Sequence, residues 1–326
     1  MLNIALVSTW HVHTQGYAAF VQQQPDAKLT CVWDDRPGEA EKVAEKFGID
    51  VEPTLDSLLA RKDVDAVLID APTSEHAEIM IKCAQAKKHI FTEKALALTV
   101  ADCDRVAAAV RENGVKFAIS FPWRGFRWVQ YMKKALDEGL VGRPTYLRIR
   151  DAHGGSCQNW LPEYWYDEEK AGGGAMMDLG CHPNYLASYF LGKPRRVNSM
   201  FNTLCCPAPL EDNAVSVIEF ENGVIAVVET GFVTPWADSA FELQGTEGSV
   251  FCTMDNKVRV HSKKLGIDGW VTPDALPQEL PHPIRQFLDG VLYDQPIPCS
   301  LDEGRALTEL LEKEYIAHKT GATVEF

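Results

Sequence analysis

The chain has 326 residues, 46% of them hydrophobic and 24% charged, with a formal net charge of −14. That length exceeds one ordinary domain and suits two, while the acidic balance excludes a nucleic-acid or anionic-membrane surface, which needs basic patches. No apolar run approaches the roughly 20 residues of a membrane span, and Met1–Val7 enters a strand with neither a basic leader nor a cleavage site. The nine cysteines, odd in number and without Cys-x-x-Cys spacing, read as buried free thiols of a reducing, cytoplasmic compartment rather than as disulfides or a zinc site.

Residues 3–7 form an apolar run of strand length, and 14–24 have helical periodicity through Tyr17, Phe20 and Val21. A second strand at 29–33 ends in Asp34-Asp35. A helix at 38–47 stops at Gly48; strands at 65–70, 89–92 and 116–120 then alternate with helices at 75–86 and 100–113. Such alternation means βαβ units and a doubly wound parallel sheet, a Rossmann domain over residues 1–120. Its ligands bind at the carboxyl ends of the strands.

The first of those ends normally carries Gly-x-Gly-x-x-Gly. Here it reads Ser8-Thr9-Trp10-His11-Val12-His13, with no glycine. Hydroxyls and free N–H groups at a helix N-terminus still suit a pyrophosphate, so Ser8, Thr9, Trp10, His11 and Val12 are assigned to the cofactor. Packing of Trp10, His11 and His13 over the loop is the alternative. Asp34 sits where an acid accepts the adenosine ribose hydroxyls. Arg36 could pair with a 2′-phosphate, but two acids, Asp34 and Asp35, against one base favour NAD over NADP. The loop 70–76, with Ala71, a helix cap at Thr73 or Ser74, and His76, lines the same edge. Glu93 and Lys94 follow the next strand, where a lysine points into the nicotinamide crevice, a solvent-facing lysine being the alternative.

Beyond residue 120, a helix at 128–138 leads to an alternating strand at 145–150 and then to His153 before two glycines. At that strand end His153 is a candidate substrate or metal ligand, an ordinary loop histidine being the alternative. The run Trp160–Asp167 is rich in aromatics, and its Trp165 and Tyr166 are assigned to stacking on sugar C–H faces; interdomain packing is the other reading. In Ala171–His182 three consecutive glycines strip a turn of side chains. Asp178 and His182, four residues apart, fall on one face of a helix. This is an active-site wall, or else a flexible turn with a solvated Asp and a capping His. Residues 213–260 hold several β-branched runs divided by Asn222-Gly223, a hairpin signal. They read as an antiparallel meander, an open sheet covered most simply by homodimerisation or homotetramerisation. Helices at 281–292 and 301–318 close the chain.

Four features occur in one order: the βαβ start, Thr73-x-x-His76, Glu93-Lys94, and Gly172-Gly173-Gly174-x-x-x-Asp178-x-Gly180-x-His182. Asp212-Asn213-Ala214-Val215 and Gly245-Thr246-Glu247-Gly248 follow. The set resembles the Gfo/Idh/MocA family of NAD(P)-dependent oxidoreductases over nearly the whole chain. The resemblance implies a Rossmann domain (1–120) and a C-terminal α/β substrate-binding and oligomerisation domain (121–326) with a large, mostly antiparallel open sheet. It implies hydride transfer between NAD and a sugar, glycoside or polyol hydroxyl. Lys94 would contact substrate and nicotinamide ribose, Asp178 would orient the sugar, and His182 would be the general acid/base. No residue is assigned to a resident metal. The family's Glu-Lys-Pro is here Glu93-Lys94-Ala95. Alternatives on the same fold are NAD-dependent glycoside cleavage, a metal-assisted keto-glycoside lyase using His153 with His182, and a non-catalytic sugar or dinucleotide sensor.

Overall fold

Six short segments of the first third pair side by side in the computed structural model, which describes residues 1–236 and 239–326. They are β1 (Leu2–Val7), β2 (Ala27–Trp33), β3 (Asp50–Val51), β4 (Ala66–Ile69), β5 (His89–Thr92) and β6 (Phe117–Ile119). Their order is β3-β2-β1-β4-β5-β6 and every pair is parallel. β4 is buried at all its residues and β1 at nearly all, the continuous apolar run required of strands covered on both faces. The covering helices are α1 (Thr14–Gln22), α2 (Glu39–Phe47), α3 (Leu55–Ala60), α4 (His76–Gln85) and α5 (Val100–Asn113). Thr99 caps α5 by accepting the Asp102 N–H, and Gly114 ends it at φ 66°. The order reverses direction between β1 and β4, which opens a crevice at their carboxyl ends. Neither Thr73 nor Ser74 caps α4: a 3₁₀ turn, Thr73–Glu75, set by Pro72, feeds it instead.

The middle of the chain builds α6 (Arg127–Asp137), β7 (Pro144–Ala152), α7 (Glu168–Ala171), α8 (Ala175–Asp178) and α9 (Cys181–Leu191). Strands β8 (Pro194–Asn202), β9 (Asn213–Phe220), β10 (Ile225–Gly231), β11 (Ala240–Gly245), β12 (Gly248–Thr253) and β13 (Val258–Ser262) follow. With β14 (Val324–Glu325) they form an eight-stranded sheet, β13-β12-β11-β7-β10-β9-β8-β14. β7 and β10 run parallel and the other recorded pairs antiparallel. Burial alternates along β8 and β9, so one face is packed, with α8 and α9 against it, and the other is open. The β9–β10 hairpin turns at Gly223, φ 81°.

The chain divides into Met1–Ser120 with Pro281–Thr308, and Phe121–Leu280 with Glu309–Phe326. Residues 281–308 thus belong with the Rossmann unit, where the sequence reading runs the second domain unbroken from 121 to 326. The reason is burial. Helix α10 (Pro283–Tyr293) puts Ile284, Phe287 and Leu288 into the core that contains Tyr17, Val21 and Phe91. Arg285 of α10 also pairs with Asp26 at 2.8 Å. The long α11 (Leu301–Thr320) follows. Among the described residues no helix is long and apolar enough to cross a membrane.

Candidate active site

Ser8 adopts φ 65°, the left-handed conformation that glycine ordinarily supplies after β1. Hydrogen bonds hold it there. Asp34 Oδ2 accepts the Thr9 N–H at 2.5 Å, the Thr9 hydroxyl at 2.7 Å and the Ser8 hydroxyl at 3.3 Å. Arg36 donates from Nε to Asp34 Oδ1 at 3.1 Å and from its terminal nitrogen to Thr9 Oγ1 at 3.0 Å. Burial works to raise the Asp34 carboxyl, and the bonds from Arg36 and Thr9 outweigh it and hold the group below the usual carboxylate range. Asp34 therefore ties the loop to β2, a task the sequence reading did not give it, and Asp35 beside it is exposed. Trp10 and His11 are buried and Val12 is exposed. His13 stands at the N-cap of α1 without a side-chain cap bond. A left-handed turn before a helix N-terminus that no side chain caps fits a dinucleotide pyrophosphate.

The ends of β4, β5 and β6 converge on Glu93, only 1% exposed. Its Oε1 accepts the Tyr17 hydroxyl and lies 2.8 Å from His13 Nδ1; Oε2 accepts the Lys94 N–H at 2.9 Å. Tyr17 also meets Ser120 Oγ at 2.6 Å. Burial pushes Glu93 up, but the charges of His11, His13 and Lys94 overcome it and hold this carboxyl well below its ordinary value. Asp70, one strand over, goes the other way: burial, then the Glu93 charge, raise it far above the carboxylate range. One acid keeps the charge and its neighbour keeps the proton. Tyr17 is raised well above a free phenol by burial and by Glu93. Lys94 is 5% exposed, and the Lys94–Ala95 peptide is cis. His76 sits 2.8 Å from the Ala95 carbonyl and 3.0 Å from that of Ala71, so it serves as a strut between two loops, with burial lowering its pKa. Thr73 and Ala71 are buried beside it.

The second unit carries the Asp–His block. Helix α8 ends at Asp178, and α9 starts at Cys181 after a two-residue turn in right-handed helical geometry. The two residues are therefore one turn apart, as spaced, but on successive helices rather than one. Gly180 donates to the Ala175 carbonyl at 2.9 Å, and a Cβ there would strike the Met176 carbonyl oxygen. Glu211 fixes the start of α8: its Oε1 accepts the N–H groups of Gly174 at 2.9 Å and Met176 at 3.0 Å, and the Tyr315 hydroxyl at 2.5 Å. Any side chain at Gly174 would collide with the Glu211 main chain, which explains this glycine.

His182 is 6% exposed and its ring stacks on Trp123 at 4.6 Å and 9°. Its Nδ1 lies 3.1 Å from the Tyr185 hydroxyl, which accepts the Trp123 N–H at 3.0 Å. Asp178 is half-buried and its charge acts on His153, whose pKa burial lowers and Asp178 partly restores. The His153 ring stacks on Phe232 at 5.0 Å and lies 4.6 Å from Trp160. Trp165 is buried, and Tyr166 donates to Ser156 at 3.4 Å; the solvent-facing aromatics are Trp160, 53% exposed, and Tyr164, 38% exposed. Trp123, Tyr185 and Glu211 are the residues that sequence reasoning missed. Only Tyr185 left a signal, three positions after His182 in an evident helix.

A parallel sheet in this strand order, with a loop suited to pyrophosphate, together with a second unit presenting an Asp–His pair, defines a dinucleotide-binding oxidoreductase of two units. The chain belongs to the Gfo/Idh/MocA oxidoreductases. Residues 2–121 match that family's NAD-binding Rossmann fold and 129–251 its C-terminal domain. The chain is 33% identical to the NAD(+)-dependent scyllo-inositol 2-dehydrogenase of Bacillus subtilis over 71% of its own length and 68% of that protein. It is 29% identical to 2,7-anhydro-N-acetylneuraminate hydratase of Escherichia coli, over 77% and 67%. The crystal structure of GenD2 from gentamicin A biosynthesis, in complex with NAD, superimposes with a TM-score of 0.86 at 26% identity, covering 100% of this chain and 96% of that one.

Proposed function

We propose that this protein transfers hydride between a sugar, glycoside or polyol hydroxyl and NAD, with His182 as general acid/base, Asp178 orienting the substrate and Lys94 facing the developing oxyanion. The observation that carries the reading is the mounting of His182. Trp123 fixes the ring plane, and the Tyr185 hydroxyl, itself held by the Trp123 main-chain N–H, stands 3.1 Å from Nδ1. In this reading Nδ1 carries the proton facing Tyr185 and Nε2 is the atom that takes the hydroxyl proton. Asp178 carries its charge on the same wall. Lys94, buried at the end of β5, supplies the charge that an alkoxide needs in a low-dielectric site.

NAD, when bound, supplies the two-electron acceptor. Its pyrophosphate would lie against loop 8–13 and the α1 N-terminus, its adenosine ribose near Asp34, and Ala71 and Thr73 would wall the crevice. Asp34 and Asp35 disfavour a 2′-phosphate, and Arg36, already bonded to Asp34 and Thr9, is not placed to welcome one. A carbohydrate or polyol suits the exposed Trp160 beside His153 and the exposed Tyr164, and scyllo-inositol is the substrate in the name of a relative. Nine free cysteines suit the cytoplasm. Pairing of two copies would cover Met200, Val215, Val217 and Ile225 on the open face of adjacent strands β8, β9 and β10.

The test is incubation with NAD and a panel of inositols, aldoses and anhydro-sugars, reading nicotinamide reduction. At least one member should yield reduced nicotinamide. Release of free sugar without net reduction would instead favour glycoside cleavage, and silence across the panel would count against both.

A further inference from the structure

His11, His13 and Glu93 each offer a donor atom, and these atoms lie within 4.8 Å of one another. We propose that the three residues form a binding site for a transition-metal dication of the zinc, iron(II), cobalt or manganese class, held by two imidazole nitrogens and one carboxylate oxygen. Two histidines and one carboxylate on one side of an ion are a recurrent donor set for such metals, and a poor one for magnesium or calcium, which prefer oxygen.

The two histidines stand at different distances from one carboxylate oxygen of Glu93. His13 and Tyr17 reach Glu93 Oε1 directly. His11 does not: its Nδ1 stands 4.0 Å from the same oxygen, beyond hydrogen-bond reach. Two donors on one ion, each about 2.0–2.2 Å from it, stand about 3–4 Å apart. The bond that His11 Nδ1 accepts from the His13 N–H is long, at 3.3 Å, and gives way readily to a metal. His11 and Glu93 are buried and rigid, while the His13 side chain is 42% exposed, which leaves a path of entry and room for rotation.

The surroundings are those of a metal site. Tyr17 donates to the Glu93 carboxylate, the outer-shell bond that orients a ligating carboxylate. Independently, among the described residues the buried Thr92 hydroxyl has no hydrogen-bond partner, and the buried Asp70 carboxyl has the Thr14 hydroxyl alone beside it. That hydroxyl also bonds the His11 carbonyl, at 2.9 Å. Buried polar atoms left over in this way commonly mark an absent ion or water. Three protein ligands leave one position of a tetrahedral ion, or three of an octahedral one, for oxygen ligands such as water or a phosphate. The motif is His-x-His in the loop where relatives with the usual fingerprint carry glycine, plus a glutamate distant in sequence, so no spacing rule finds it.

Titration of the full-length chain with Co²⁺ tests this without reference to catalysis, so failure here and failure of the dehydrogenase reading are separable. The wild type should take up one Co²⁺ per chain with ligand-field absorption and no thiolate charge-transfer band. His11→Ala and His13→Ala should each abolish stoichiometric uptake with unchanged far-UV circular dichroism. Tyr17→Phe should keep the stoichiometry but bind about 10–100-fold more weakly. No uptake by the wild type, a thiolate spectrum, or uptake indifferent to both histidine variants would overturn the site.

Discussion

Glu93 and Asp70 show how neighbouring carboxyls at adjacent strand ends acquire opposite states. Glu93 has donors on both oxygens and stays ionised; Asp70, with the Thr14 hydroxyl alone against burial and the Glu93 charge, keeps its proton. Replacement should therefore split them. Glu93→Gln leaves the surrounding imidazoles and ammonium without their counter-charge and should cost about 3–5 kcal/mol, whereas Asp70→Asn exchanges one neutral group for another and should stay within about 1 kcal/mol. Urea unfolding of the two variants measures the difference; equal losses would mean that the charge is shared. At His182, substitution by Ala should lower kcat by about 10²–10⁴ while the NAD dissociation constant, from calorimetry, changes little. The sequence showed Asp178, His182 and Lys94 as candidates because chemistry-bearing types stood at strand and helix ends. It could not show that Asp34 would close the phosphate loop, because that depends on the φ 65° turn at Ser8 folding back onto β2.

At the scale of elements, α8 is only four residues long and depends on Glu211 for its N-terminal bonds. Gly174→Ala should destabilise the protein by about 1–3 kcal/mol through overpacking against the Glu211 main chain. Gly16→Ala, in α1 with nothing near its missing Cβ, should instead stabilise by about 0.4–1 kcal/mol. Thermal melts of the pair give the sign directly, and a matching sign would refute the steric account. The strand–helix alternation of the first unit was readable because period and turn residues agree within each segment. The break between α8 and α9 was not: four-residue spacing is the same for one helix as for two joined by a helical turn.

For the whole molecule, chain order and unit membership part company at residue 281. The apolar stripe Ile284, Phe287, Leu288 is plain in the sequence, but an amphipathic stripe does not say which core receives it. The fold also contains a pH-sensitive element packed against α9, the helix that carries His182. Glu314 on α11 is wholly buried, accepts from Asn184 at 2.7 Å, and has its pKa raised by burial to about 8. The folded chain therefore binds a proton that the unfolded chain has released above the ordinary glutamate value. Stability should fall as pH rises from about 4.5 to about 8, at up to about 1.4 kcal/mol per unit, and flatten above. Glu314→Gln should remove that slope; an unchanged slope in urea midpoints between pH 6 and 8 would show that another group is responsible.

The central claim is hydride transfer assisted by His182, and isotope transfer tests it most directly. A substrate from the polyol panel, deuterated at its carbinol carbon, is incubated with NAD and the reduced nicotinamide is analysed by mass spectrometry. Deuterium should appear at C4 of the ring with wild-type protein and almost vanish with His182→Ala, although that variant still binds NAD. NAD binding without any deuterium transfer, or equal transfer by both proteins, would contradict the account.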